Sequence, residues 1–195
     1  MEDEGFVDDS ALITSSHPHV SESSLTPVSI KLSLGNERFL TCDTYKGQLK
    51  IHIRQYQTSN EKSFPTKMGV SMSPLRFATF KSKMDELNEG VCSLREKPHV
   101  DERMHLGGAW YATVKTGFLC VDIRRFFYPE GQLETVPTRS GIALRLPEWD
   151  ELRVQVATLL QQLPTLNEIV PCYFSPDHAN QMVALACSEC NHQMI

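Results

Sequence analysis

The sequence predicts an α+β protein built from two tandem β-β-β-β-α units that pair as an intramolecular pseudo-dimer. Two eight-residue stretches, LKIHIRQY at 49–56 and LCVDIRRF at 119–126, share the pattern apolar-x-apolar-x-Ile-Arg-x-aromatic at a constant offset of 70 residues. Each begins two residues after a glycine, Gly47 or Gly117, and each is followed by a second glycine, in GVSMSP at Gly69 and in GIALRLP at Gly141. Eight residues beyond that glycine a helical pattern starts: Phe77, Phe80, Met84, Leu87 in one copy and Trp149, Leu152, Val156, Leu159 in the other. Both sets repeat at the spacing of one helix face. The same strand, glycine and helix in the same order make a duplication.

Each element follows from its own pattern. RFLTC from Arg38 and WYATV from Trp110 read as strands ahead of the glycine turns, which are DTYKG in the first unit and the shorter KTG in the second. Glycine suits a hairpin turn that requires positive φ. In the long strands Leu49, Ile51 and Ile53 alternate with Lys50, His52 and Arg54, and Leu119, Val121 and Ile123 alternate with Cys120, Asp122 and Arg124. That period of two marks a half-buried strand. A third short strand is expected near Phe64 and Val136 and a fourth after the second glycine. Ser73-Pro74 then reads as an N-cap with proline at the first helical position. Pro147 opens the second helix, and Glu148 favours the positive end of its dipole.

These boundaries divide the chain into an acidic, Ser-rich arm (1–37), a first unit (38–90), a linker (91–108), a second unit (109–163) and a tail containing Cys and His (164–195). The arm reads as disordered, with few apolar anchors. The formal charge of −5 is unusual for a nucleic-acid binder. Its distribution matters more: −6 over the arm, +4 over the first unit, zero over linker and second unit, and −3 over the tail. No apolar run approaches a membrane span, and the start MEDEG does not read as a signal peptide. Six cysteines at irregular positions fit reduced thiols.

RFLTCDTYKGQLKIHIRQY with GVSMSP, and VDIRRFFYPEGQL with GIALRLPEWDEL, resemble the C-terminal DNA-binding domain of the positive cofactor four family, the RNA polymerase II transcriptional coactivators. The resemblance covers about Arg38–Glu89 and Ala109–Leu163. It implies a β-β-β-β-α module that dimerises and binds single-stranded or melted DNA along basic and aromatic ridges, without catalysis or cofactor. Two units in one chain imply an intramolecular pseudo-dimer in a monomeric protein. By family position, Tyr45 and Lys46 match its aromatic-Lys pair, and Arg54 and Arg124 its arginine after the isoleucine. Phe127 matches its stacking Trp, and Lys67 and Arg139 its basic pair before the glycine. Lys50, Lys115 and Arg125 complete the expected nucleic-acid-binding set, since single strands need cations for phosphates and rings for bases. Gln57 replaces the stacking ring of the first unit, and the shortened second hairpin loses the aromatic-Lys pair, leaving Lys115. Trp149 and Phe77 read as core.

The tail offers Cys172, His178, Cys187, Cys190 and His192, which could supply zinc ligands. The interval from Cys190 to His192 is tight and no second CxxC is present, so these are read as free thiols with no metal. The expected function is single-stranded DNA binding in transcription regulation, in the nucleus, with RNA and the transcription machinery as further partners and no membrane. The alternative is a protein-interaction scaffold that keeps the fold with weak or no nucleic-acid binding. No catalytic motif stands out.

Overall fold

Paired positive-φ residues close the hairpins of the first sheet. Asn36 and Glu37 (φ 49° and 56°), Lys46 and Gly47 (51° and 75°) and Asn60 and Glu61 (50° and 63°) each form a two-residue turn of the primed type. Such turns match the right-handed twist of the strands they join. They link β1 (Ser29–Gly35), β2 (Arg38–Tyr45), β3 (Gln48–Ser59) and β4 (Lys62–Met72) into an antiparallel meander. A second sheet of the same order holds β5 (Asp101–Gly107), β6 (Trp110–Lys115), β7 (Phe118–Phe127) and β8 (Val136–Arg145). The computed structural model describes residues 28–131, 134–179, 186–187 and 189–190.

Four strands per unit are present, but not the expected four. The two short strands foreseen on either side of the glycine are one continuous strand, β4 or β8. The missing strand lies earlier, at Ser29–Gly35 in the expected arm and at Asp101–Gly107 in the expected linker. Ile30, Leu32 and Leu34 alternate with Ser29, Lys31 and Ser33, the period-two signal that the surrounding Ser-rich composition masked. Both boundaries therefore move: the first unit begins before Arg38 and the second before Ala109. Residues 1–27 lie outside the described residues.

The first helical stripe is also split. α1 (Pro74–Ser82) ends at Lys83, and α2 (Met84–Glu96) continues from there into the expected linker. Ser73 caps α1, its hydroxyl accepting from the Arg76 N–H at 3.1 Å, with Pro74 in the first turn. α3 (Leu146–Gln162) is capped by Glu148, whose carboxylate accepts from the Arg145 N–H at 2.8 Å.

Each unit's helix covers the other unit's sheet. α3 lies on β1 and β2 as well as on β7 and β8, and α2 lies on β5, β6 and β7. Leu40, Ile53, Phe77, Ile123, Trp149 and Leu152 fall in one core cluster that both sheets share, each fully buried. Trp149 meets Phe80 edge-on, with ring centroids 6.3 Å apart, and its Nε1 donates to Asn88 Oδ1 at 3.4 Å. Polar contacts reinforce the junction. Glu148, buried at 2% exposure, pairs with Arg38 of the first unit and accepts from Asn36 Nδ2 at 2.8 Å. Arg38 also donates to the Ala143 carbonyl at 2.6 Å.

Candidate nucleic-acid interface

The strand alternation that sends Ile51 and Ile53 into the core sends Lys50, His52, Arg54 and Tyr56 to the opposite face. Cross-strand pairing sets Asp43 against Lys50, Thr41 against His52 and Phe39 against Arg54, with Lys31 beside Thr41 on the next strand. Phe39 and Tyr56 meet edge to face at 5.0 Å, and the Lys31 ammonium lies over both rings, 4.1 and 3.8 Å from their centroids. The second sheet repeats the arrangement. Tyr111 and Phe126 meet at 5.1 Å, and the Arg103 guanidinium lies 4.1 and 4.2 Å from the two rings. Both cations belong to the strands that the sequence pattern did not reveal, so this matched cluster was missed. Tyr56 and Phe126, each the last residue of a quoted stretch, were the available signal.

A second matched feature is a bulge. In the first sheet Arg54 pairs with Gly69 but Tyr56 pairs with Pro65, leaving Thr66, Lys67 and Met68 to loop outward. In the second, Arg124 pairs with Gly141 and Phe126 with Pro137, leaving Thr138, Arg139 and Ser140. The threonine fixes each loop identically. Thr66 Oγ1 donates to the Gln55 carbonyl and Thr138 Oγ1 to the Arg125 carbonyl, both at 2.8 Å, and each hydroxyl accepts from the N–H two residues on at 3.1 Å. The result exposes Lys67 and Arg139. The glycine is required by close approach: an added Cβ would lie 2.6 Å from the Ile53 carbonyl oxygen at Gly69 and 2.6 Å from that of Ile123 at Gly141. PTKMG and PTRSG are the sequence form of this device.

Exposed rings flank these cations. Tyr45, at the first hairpin, is 62% exposed, with the Lys46 ammonium 5.5 Å from its ring. The second hairpin does not lose its ring. Phe118, 63% exposed, pairs with Lys115 across the ladder, so the ring has moved to the other strand. The same exchange occurs beyond the bulge. Gln57 faces Phe64 in the first sheet and Phe127 faces Val136 in the second, so each sheet exposes one ring at that pair.

The expected cations are not equivalent. Arg54 makes no ion pair among the described residues, and its Nε is buried without a partner. Arg124 instead binds Asp122 through Nε at 2.8 Å and the Thr138 carbonyl through Nη1 at 2.8 Å. Lys115 is paired with Asp101 at 2.6 Å. Lys50 and Arg125 are half-buried, on β3 and β7. A groove of about 740 Å³ over the second sheet gathers Lys115, Phe118, Arg124 and Arg139 with Arg103 and Phe126, but Asp101, Asp122 and Glu134 also line it. On the first face Asp43 lies 3.6 Å from His52. Burial lowers the His52 pKa from its ordinary value, ahead of the opposing effect of Asp43. The first face thus keeps more uncompensated positive charge.

Phe77 and Trp149 are fully buried, as core residues. In the tail, Cys172, His178, Cys187 and Cys190 converge, their candidate ligand atoms all within 4.8 Å of one another. His192 lies outside the described residues.

Residues 32–83 match the family model described as Transcriptional Coactivator p15 (PC4), so the first unit carries a domain of that family. The second unit lies outside the match. The chain is similar to the RNA polymerase II transcriptional coactivator KELP of Arabidopsis thaliana, with 28% identity over 64 residues. That alignment covers 33% of this chain and 39% of the relative. No solved structure gives a significant match. No described helix is long and apolar enough to cross a membrane.

Proposed function

We propose that this chain binds single-stranded or melted DNA across the outer faces of both sheets, as a nuclear regulator of transcription. The observation that carries the reading is the matched pair of faces. Each presents a bulge cation (Lys67 or Arg139) and a hairpin ring with a lysine (Tyr45 with Lys46, Phe118 with Lys115), and each sheet exposes a further ring beyond the bulge (Phe64 or Phe127) on the side that strand alternation turns away from that face. Cations placed along a strand take phosphates, and exposed rings stack on unpaired bases irrespective of sequence. Arg54, whose Nε–H has no protein partner, has a hydrogen bond left to donate to an anionic oxygen. The coactivator-family domain over residues 32–83 supports the transcriptional setting. The two units act as an intramolecular pseudo-dimer, because each helix already covers the other sheet and the protein has no need of a second chain. RNA would satisfy the same contacts.

The scaffold reading draws on one observation. In the second face Lys115 and Arg124 are already paired with Asp101 and Asp122, which leaves little positive field there. Equilibrium binding to single-stranded and duplex oligonucleotides of equal length separates the two. Preference for the single strand, with affinity falling steeply as salt rises, supports the proposal. Binding no better than a neutral control protein at about 50 mM salt favours the scaffold.

A further inference from the structure

The tail beyond α3 is poorly provided with core. Leu166 is buried, but Val170, Tyr173 and Phe174 after it are exposed. A segment with so little apolar burial needs another source of order. Two of its four sulfur and nitrogen groups, Cys187 and Cys190, bracket the turn that contacts both units, and Cys172 and His178 of the preceding segment meet them. The Cys187–Cys190 turn is closed by the Cys190 N–H donating to the Cys187 carbonyl at 3.2 Å. Glu189 within it accepts through its carbonyl from the Gly108 N–H at 2.7 Å, and its carboxylate meets Arg76 Nη2 at 2.9 Å. Gly107 is held to glycine there, at φ 110°, with an added Cβ 2.8 Å from the Glu189 carbonyl. Repeat equivalence explains the docking. Arg76 occupies in α1 the place of Glu148 in α3, and Trp110 occupies the place of Arg38. The counter-charge that Arg38 gives Glu148 in one half has no equivalent within the units in the other, and Glu189 supplies it.

We propose that Cys172, His178, Cys187 and Cys190 bind one zinc ion in a closed tetrahedral site that clasps the tail to both units. Cys172 Sγ lies 3.2 Å from His178 Nδ1 and 3.4 Å from Cys187 Sγ, and Cys190 Sγ lies 3.2 Å from the same His178 nitrogen. Zinc bonds of about 2.3 Å to sulfur and about 2.0 Å to nitrogen give tetrahedral edges of roughly 3.5–3.8 Å, close to this spacing. A disulfide does not account for it, since the Cys172–Cys187 separation of 3.4 Å far exceeds a bond of about 2.0 Å. Hydrogen bonding among thiols does not either: one Nδ1 faces two sulfurs at equal distance and cannot give or take a single proton for both. Four protein ligands leave no open position, so the site is structural rather than catalytic. Binding displaces thiol protons to solvent, leaving three thiolates and a neutral imidazole on the metal.

The site stands apart from nucleic-acid binding, and its test needs no oligonucleotide. Full-length protein, purified under reducing conditions from zinc-supplemented cells, is assayed by elemental analysis, and metal-free protein is titrated with cobalt(II). About one zinc per chain is expected, together with the intense visible bands of tetrahedral thiolate-bound cobalt. Cys187→Ser and Cys190→Ser should each lower zinc at least about tenfold, whereas Cys92→Ser, at an exposed cysteine of α2, should retain it. Wild-type protein carrying less than about a tenth of an equivalent, with no cobalt bands, overturns the site. So does retention of full zinc by both the Cys187→Ser and Cys190→Ser variants. Should either variant fail to fold, cobalt bands in the wild type decide alone.

Discussion

Lys67 and Arg139 owe their exposure to a glycine two residues on, in each unit. Gly69 lets β4 lie directly on the Arg54 backbone, with an added Cβ 2.8 Å from the Arg54 Cα. That approach ends the regular ladder and lets the threonine-locked bulge form. Gly69→Ala should therefore destabilise the protein by about 1–3 kcal/mol, since the clash is with backbone rather than a flexible side chain. Urea denaturation measures this, and an unchanged midpoint would remove the close-approach argument. At this scale the sequence was legible where a residue kept its strand. Tyr45, Lys46, Arg54, Lys67, Phe127 and Arg139 were named from their positions in the family resemblance. Phe64 and Phe118 were not, because the exposed ring crossed to the neighbouring strand. A comparison strand by strand registers that as a loss, in Gln57 and in the shortened hairpin, although the surface keeps a ring.

β1 shows how an element can hide in composition. Its alternation is short and sits in a Ser-rich, acidic stretch, so averaging over a window erases it. Its meaning is tertiary: Leu34 is buried at 2% because α3 of the other unit covers it. The long strands and α3 were readable because their periodicity runs for more than two turns or three alternations. The break at Lys83 was not, since the apolar spacing passes through it undisturbed. This separates two truncations. Removing residues 1–27, which carry six acidic and no basic residues, leaves β1 in place and should tighten binding to single strands if that segment competes for the basic face. Removing residues 1–37 takes away β1 and the Asn36 contact to Glu148, and should lower thermal stability sharply. Thermal melts of both truncations check this. Equal melting temperatures would mean that β1 contributes nothing to the core.

Across the whole molecule the two units are neither independent domains nor equal surfaces. One core cluster runs through both, and the helices are exchanged between sheets. The first outer face carries Lys31, Lys46, Lys50, Arg54 and Lys67 with Asp43, while the second balances its cations with Asp101 and Asp122. The layout of two four-stranded units, each followed by helix, was legible in sequence, since eight-residue stretches and helix faces recur. The exchange of helices and the docking of Glu189 were not, since no local pattern specifies which sheet a helix covers. A strand of DNA spanning both faces should take phosphates mainly on the first and bases on both. Fluorescence anisotropy of a labelled single-stranded oligonucleotide, titrated over a range of salt with wild type, Tyr45→Ala, Phe118→Ala and Arg54→Ala, tests this most directly. Each ring substitution is expected to cost about 1–3 kcal/mol with the log–log salt slope retained, because stacking releases no counterions. Arg54→Ala is expected to weaken binding at low salt and to flatten the slope by about 0.7. Binding unaffected by both ring substitutions, or a slope unchanged by Arg54→Ala, would contradict an interface across the two outer faces.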